Sequence, residues 1–358
     1  MNILFLTNEL NYTDGVSTHL FYLSRYFKKN KNVELSIMCS GGDAVSKFKQ
    51  AGINVHTEKA LNHKTRSIKN FMSAILSVYK FVRSEDIQIV HSHNHYAANI
   101  SYRVSKFIGF KTIQTNHGII DDGGKLRHYS SGNYIVLNET ILKYFLDNNI
   151  SVRNNTKLIS NGIDFPHDIV RKKSGIIRVI VASRLTEGKG LTTFIDAVSI
   201  LGEEIRKKTE FILAGEGDME NKLRMLDRNL KTEIIFIGKQ TNMNDILKDT
   251  NIFVFPSESD SEAFPMTLLE AAAANNLIIF SDFKGSNDIL KDKVDGLMFR
   301  KGDANDLALK IKCAVENPDI SNKISESFFV KAGKKYNSEL MAEKHLRFYR
   351  EILSERGK

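Results

Sequence analysis

Cysteine is nearly absent. The 358 residues contain two, Cys39 and Cys313, far apart and without metal-type spacing. A disulfide scaffold and a cysteine-based zinc site are therefore excluded, and reduced structural thiols are expected. No run of eighteen apolar residues occurs, which leaves no candidate membrane-spanning helix. The opening MNILFLTNEL has neither a basic leading segment nor a cleavage site, so it reads as a first β-strand and a cytoplasmic protein is expected. Short internal repeats and low-complexity tracts are also missing, which excludes solenoids and disordered arrays. Charged residues at 26% and hydrophobic residues at 42% are ordinary for a globular enzyme, and the length suits two domains. The charge is uneven: residues 1–165 hold 20 Lys and Arg against 12 Asp and Glu, residues 166–358 hold 31 against 30. A basic first half suits an anionic partner on that side, or is simply a solvated basic face.

One stretch organises the rest. Ile252–Phe255 is a short apolar run of strand type, and 266–274 is a strong helix former, with Pro265 expected at its first helical position. The polar loop between them carries Glu258, Asp260 and Glu262, and Glu270 lies further along the helix. A buried strand thus delivers carboxylates to the positive end of a helix. Such a place suits a ligand with an anionic part, held by backbone N–H groups, and a hydroxyl-rich part, held by carboxylates. A nucleotide sugar has both.

The first half alternates strands and helices. A strand at 2–7 leads through a polar loop to Gly15 and a helix at 17–29. Asp14-Gly15 is either an ordinary turn or a place where a phosphate approaches the backbone. Residues 64–83 read as an amphipathic helix with an apolar stripe of Ile68, Phe71, Met72, Ile75, Tyr79 and Val82. It packs on the sheet, or partly rests on an anionic bilayer. A strand then runs into His91, His93 and His95, whose alternation is compatible with a metal triad or with substrate-binding side chains at a strand end. No Cys or carboxylate nearby completes a metal site. His117 follows the next strand, so His93 and His117 are expected to line a common cleft. Pro166 and residues 168–174 read as the interdomain linker.

The second half repeats this grammar. A strand at 176–182, a loop with Arg184, Glu187, Gly188, Lys189 and Gly190, and a helix at 191–201 form a phosphate-cradle arrangement in which Arg184 and Lys189 converge on one anion. Further strand ends carry Gly215, Gly217 and Gly238, where backbone can approach a flat base or a ribose. Helices at 304–316 and 338–355 close the chain.

Arg184-x4-Lys189 paired with Glu262-x7-Glu270, each in a strand–loop–helix setting, resembles the retaining glycosyltransferases of family 4. So do the Gly15 loop, His91-x-His93, Thr115-x-His117, Asn161-Gly-Ile-Asp164, Gly215-x-Gly217 and Gly238. The resemblance covers nearly the whole chain. It implies the GT-B fold, an α/β architecture of two Rossmann-like domains facing across a cleft. The acceptor-binding domain would be 1–165 with about 340–358, the last helix crossing back to it, and the donor-binding domain 175–335. It also implies transfer from a nucleotide sugar, a UDP-sugar by family habit, to a saccharide or lipid-linked acceptor in bacterial cell-surface glycan synthesis. In that scheme Arg184 and Lys189 hold the diphosphate, Glu270 the ribose and Glu262 a hydroxyl of the donor sugar. His117 lies by the transferred sugar, Gly15 near the phosphates, and His91 and His93 in the acceptor cleft. Gly215, Gly217, Gly238, Phe264, Pro265, Met266 and Thr267 complete the donor pocket. Glu187 and Glu258 are expected to be merely solvated, and Asp260 to cap the helix loop.

The chain departs from the family pattern at Glu262-Ala-Phe264-Pro265, where Pro265 offers no N–H. No Asp-x-Asp sequence appears, so no metal or other cofactor is expected. Nucleic acid is not an expected partner; an anionic membrane surface is, with peripheral attachment at its inner face. A nucleotide-sugar epimerase, a phosphorylase and a non-catalytic partner subunit are the rival readings on this architecture.

Overall fold

A computed structural model describes residues 1–119, 129–150, 155–169 and 175–355. The chain divides into two compact units, unit 1 being Met1–Gly162 with Ser338–Lys358 and unit 2 Ile163–Asn337. The boundary therefore falls before the basic stretch read as a linker, most of which (170–174) lies outside the described residues.

Unit 1 runs β1 (Asn2–Leu6), α1 (Gly15–Lys29), β2 (Glu34–Cys39), α2 (Val45–Gln50), β3 (Asn54–Thr57), α3 (Ile68–Ser84), β4 (Ile89–Ser92), α4 (His95–Ser105), β5 (Lys111–Asn116), β6 (Asn133–Val136), α5 (Glu139–Asp147) and β7 (Thr156–Leu158). The seven strands are parallel, in the order β3-β2-β1-β4-β5-β6-β7. Strands inside a parallel sheet bury both faces, so they read as continuous apolar runs. β1 shows why: Ile3 and Phe5 join one core cluster, Leu4 and Leu6 the other.

Unit 2 runs β8 (Ile177–Ala182), α6 (Leu191–Ile200), α7 (Glu203–Lys207), β9 (Thr209–Ala214), α8 (Glu220–Leu230), β10 (Ile235–Gly238), α9 (Met243–Lys248), β11 (Ile252–Phe255), α10 (Met266–Ala273), β12 (Leu277–Ser281), α11 (Ser286–Ile289), β13 (Leu297–Phe299), α12 (Ala304–Glu316) and α13 (Pro318–Lys335). Its sheet order is β10-β9-β8-β11-β12-β13, again parallel. The last helix, α14 (Ser338–Ser354), returns to unit 1. There Met341, Leu346, Phe348 and Tyr349 enter the cluster that holds Leu20, Leu23 and Phe27 of α1.

Three elements differ from the sequence reading. Three helices close the chain rather than two. In α13 the buried Ile324, Phe328 and Phe329 are interleaved with serines, which hides the stripe, although Pro318 marks the first turn. Pro265 is the N-cap of α10, with an extended ψ of 123°, and not its first helical residue. In α3 the stripe is split. Ala74, Val78 and Val82 are buried, while Ile68 is 87% and Met72 58% exposed.

Candidate active site

In both sheets the order reverses between the first and fourth strands, β1 and β4 in unit 1, β8 and β11 in unit 2. Loops leaving adjacent strands diverge there and leave a crevice, the usual ligand position in an open α/β sheet. In unit 2 the two loops concerned are 183–190 and 256–265, so topology alone brings Lys189 and Glu262 together.

The contact is direct. The Lys189 ammonium donates to Glu262 Oε1, with both side chains largely shielded. The Ser257 hydroxyl, 1% exposed, donates to the same carboxylate oxygen at 3.0 Å. Ser281 Oγ in turn donates to the Ser257 carbonyl at 2.5 Å, fixing Ser257 from the next strand. A second tie joins the loops: Glu258 N–H donates to Gly188 O at 2.9 Å, and its carboxylate accepts from Thr193 Oγ1 at 2.6 Å. Glu258 is therefore a loop clamp and not merely solvated. Asp260 does not cap a helix; it pairs with Lys301 at 2.7 Å. Glu187 makes an exposed ion pair with Lys222.

Gly190 explains how the loops come so close. Its φ is +66°, and a Cβ there would lie 1.8 Å from the Pro256 carbonyl oxygen. Any side chain would force the two loops apart and shift Lys189, its neighbour. Gly215 and Gly217 meet the same limit against Ser183 and Leu185, so packing between the loops requires their bareness. At Gly238 an added Cβ meets open space.

Arg184 is exposed and, among the described residues, carries no ion pair. Glu270 is half-buried on α10. Phe264 and Met266 are buried, Phe264 edge-on to Tyr336 with ring centroids 4.9 Å apart, while Pro265 and Thr267 are half-buried. Helix starts differ around the switch points. In unit 1, α1, α3, α4 and α5 are capped by the side chains of Asp14, Ser67, Asn94 and Asn138. In unit 2, α6 and α10, the helices after the two switch-point strands, have no side-chain cap. Their first-turn amides are suited to an anion.

Unit 1 holds a second polar centre. His93 Nδ1 and His117 Nε2 are 3.2 Å apart, which joins the two strand-end histidines as expected. His19, on α1, lies with its ring centre 5.0 Å from that of His117 and was not singled out from the sequence, where it is one position on an amphipathic helix. His91 differs from expectation. It is fully buried, its nitrogens hydrogen-bonded to Tyr349 OH at 2.6 Å and Thr115 Oγ1 at 2.7 Å, so it offers nothing to an acceptor. His95 pairs with Gln114 at 2.9 Å. Gly15 is the exposed first residue of α1, helical, so its place needs no left-handed backbone.

The family models decide the assignment. Residues 13–165 match "Glycosyltransferase Family 4" and residues 164–328 match "Glycosyl transferases group 1". The chain belongs to glycosyltransferase family 4. This family 4 enzyme is 22% identical over 304 residues to an Escherichia coli UDP-Gal:α-D-GlcNAc-diphosphoundecaprenol α-1,3-galactosyltransferase, covering 76% of this chain and 78% of that one. It is 24% identical to the capsular polysaccharide biosynthesis glycosyltransferase CapH of Staphylococcus aureus, covering 73% and 76%. Its structure superposes on Anabaena HepE in complex with UDP-glucose with a TM-score of 0.83 at 16% identity, over 99% and 100% of the chains. The glycosyltransferase thus has the GT-B fold.

Proposed function

We propose that this glycosyltransferase moves a sugar, with retention of anomeric configuration, from a UDP-sugar bound by unit 2 to a saccharide or polyprenyl-diphosphate-linked acceptor bound by unit 1. The observation that carries the donor side is the Lys189–Glu262 contact at the switch point, flanked by two uncapped helix starts. An ammonium has three donors. One serves Glu262, which leaves Lys189 able to reach a diphosphate oxygen, with Arg184 supplying a second cation from the same loop. Fixed positive charge stabilises the phosphate as it departs, commonly a large part of the catalytic effect. The resemblance assigns Glu262 to a donor-sugar hydroxyl, Glu270 to the ribose and His117 of unit 1 to the transferred sugar. The cations replace a chelated ion, so donor chemistry runs without a metal. The acceptor class comes from the E. coli relative, whose name states a diphosphoundecaprenol substrate.

Incubating the enzyme with labelled UDP-sugars and a short-chain prenyl-diphosphate saccharide tests the proposal. Label should move to the acceptor with the donor's anomeric configuration. Release of an altered nucleotide sugar without acceptor would mean epimerisation instead. Glu270→Ala should weaken UDP binding by about 1.5–3 kcal/mol, the worth of hydrogen bonds to a charged acceptor; calorimetry showing unchanged affinity would remove Glu270 from the ribose.

A lipid-linked acceptor brings the enzyme to a bilayer. On α3, Ile68, Met72 and Leu76 are exposed at successive four-residue steps, and Arg66, Lys69, Lys80 and Arg83 are exposed around them. An outward apolar ridge among basic side chains is the pattern of a helix lying in an anionic interface. Flotation with vesicles containing phosphatidylglycerol should carry the protein upward, and Met72→Glu with Leu76→Glu should abolish this. Equal binding to neutral vesicles would sink the membrane assignment.

A further inference from the structure

The loop that joins β3 to α3 gathers positive charge. It carries His63, Lys64 and Arg66, the last two exposed and His63 half-buried. Burial, together with the charges of Arg66 and Lys64, holds the His63 ring below the usual histidine range, so the three groups act on one spot. Among the described residues only one carboxylate, Glu9, pairs with them, 3.5 Å from the Lys64 ammonium. That pair is largely exposed on the lysine side, and such a contact is weak enough to yield to another anion.

This basic loop lies against the crevice of unit 1. Asn62 Nδ2 donates to Glu9 Oε1 at 3.3 Å, which fastens it to the loop leaving β1. The Arg66 guanidinium lies over the Tyr96 ring, 4.9 Å from its centre, and Tyr96 stands in the first turn of α4, just past β4. Tyr96 OH donates to Ala60 O at 3.2 Å. Both lips of the β1/β4 switch point therefore hold the loop. Asn8 Oδ1, His63 Nδ1 and Asn94 Nδ2, one from each of the three segments, are buried without a hydrogen-bond partner. The Asn94 amide oxygen is already taken by Ala97 N–H at 2.8 Å, which leaves its Nδ2 as an unused donor. Buried polar atoms are rarely left so, and three of them here point to a polar ligand.

In the other direction the loop runs straight into α3. Arg66 is two residues from Ile68, the first of the outward apolar ridge that continues through Met72 and Leu76. Cationic side chains thus stand between an apolar track and a polar crevice. We infer that Lys64 and Arg66 grip the diphosphate of a lipid-linked acceptor, its prenyl chain running along Ile68 and Met72 and its sugar entering the β1/β4 crevice. A guanidinium gives a phosphate two parallel hydrogen bonds, and an ammonium adds a movable point charge. The inference rests on the acceptor reading above and gives it a definite diphosphate site.

Calorimetry with farnesyl diphosphate tests this without turnover, UDP being kept in excess so that the donor loops are filled. Farnesyl diphosphate should bind at least tenfold tighter than farnesol. Lys64→Ala and Arg66→Ala should each weaken it by about 10–100-fold, the range for loss of hydrogen bonds to a charged group. Arg66→Lys should recover only part of this, because an ammonium cannot supply the paired bonds. Unchanged UDP affinity in the same variants would show that the loss belongs to unit 1. Equal affinity for farnesol would overturn the inference and leave the donor-side assignment standing. If the folded double variant, Lys64→Ala with Arg66→Ala, keeps full affinity but no longer floats with phosphatidylglycerol vesicles, the pair serves bilayer headgroups and the inference falls.

Discussion

Lys189→Ala is expected to lower turnover by about 10²–10³-fold, the range for loss of one fixed group that stabilises transition-state charge. The ammonium is held where it is needed before any donor arrives. Its partner Glu262 is anchored by Ser257, and Ser257 by Ser281 of β12. Removing Lys189 therefore removes the cation but not the scaffold. Glu262 keeps the Ser257 hydroxyl, and the pair retains some contact with solvent, so the stability loss should stay near 1 kcal/mol. Lys189→Arg should recover little, because a planar guanidinium cannot occupy the position of a compact ammonium between two acceptors. Initial rates with saturating donor, set beside a thermal unfolding curve, separate the two effects. Wild-type turnover in a folded Lys189→Ala protein would end the donor-site assignment.

Mild acid is the second large effect expected. His19, His91, His93, His117 and His345 lie together in unit 1, and burial, reinforced for most of them by neighbouring imidazoles, holds every one below the usual histidine range. His345 titrates at about 4 and His117 at about 3. An unfolded chain takes up these protons near 6.5. Below that pH the unfolded state binds more protons than the folded one, so stability falls as pH falls, across a window from about 6.5 to about 4 and below. Each ring kept neutral costs about 2 kcal/mol at pH 5 relative to neutral pH. Even three such rings consume much of a typical domain's 5–15 kcal/mol. Urea unfolding in EDTA at pH 7, 6 and 5 should show the midpoint falling steeply before carboxylates begin to titrate. His345→Gln should flatten that slope by about one proton. A midpoint constant from pH 7 to 5 would mean that the rings find water or protons in the folded state.

The meeting of Lys189 and Glu262 was legible because its signals are local. A strand, a glycine turn and a helix start are each visible within a few residues, and strand order does the rest by placing 183–190 beside 256–265. The histidine centre was only half legible. His93 and His117 stand at strand ends, where chemistry is expected, but His19 sits one turn into α1 and reaches them through packing, which has no signature in a linear pattern. The alternation His91, His93, His95 misled for the same reason. Alternate residues share a face only while the strand lasts: β4 ends at Ser92, His93 falls in the loop beyond it and His95 opens α4, so the three find different partners, Tyr349 and Thr115, His117, and Gln114. The α3 stripe shows a further limit. Periodicity marks a face as apolar but does not say how wide a strip the sheet covers, so Ile68 and Met72 fall outside it.

The uncapped starts of α6 and α10 have an energetic corollary. Four helices of unit 1 place a capping side chain at their first turn, whereas these two have none, and in the proposed function a diphosphate would meet their leading amides. Under the proposed function the donor would then complete these helix starts. Unit 2 would gain about 2.7 kcal/mol of resistance to unfolding at a nucleotide concentration one hundred times the dissociation constant. If unit 2 binds the donor as proposed, nucleotide supply would add to packing in keeping this half folded.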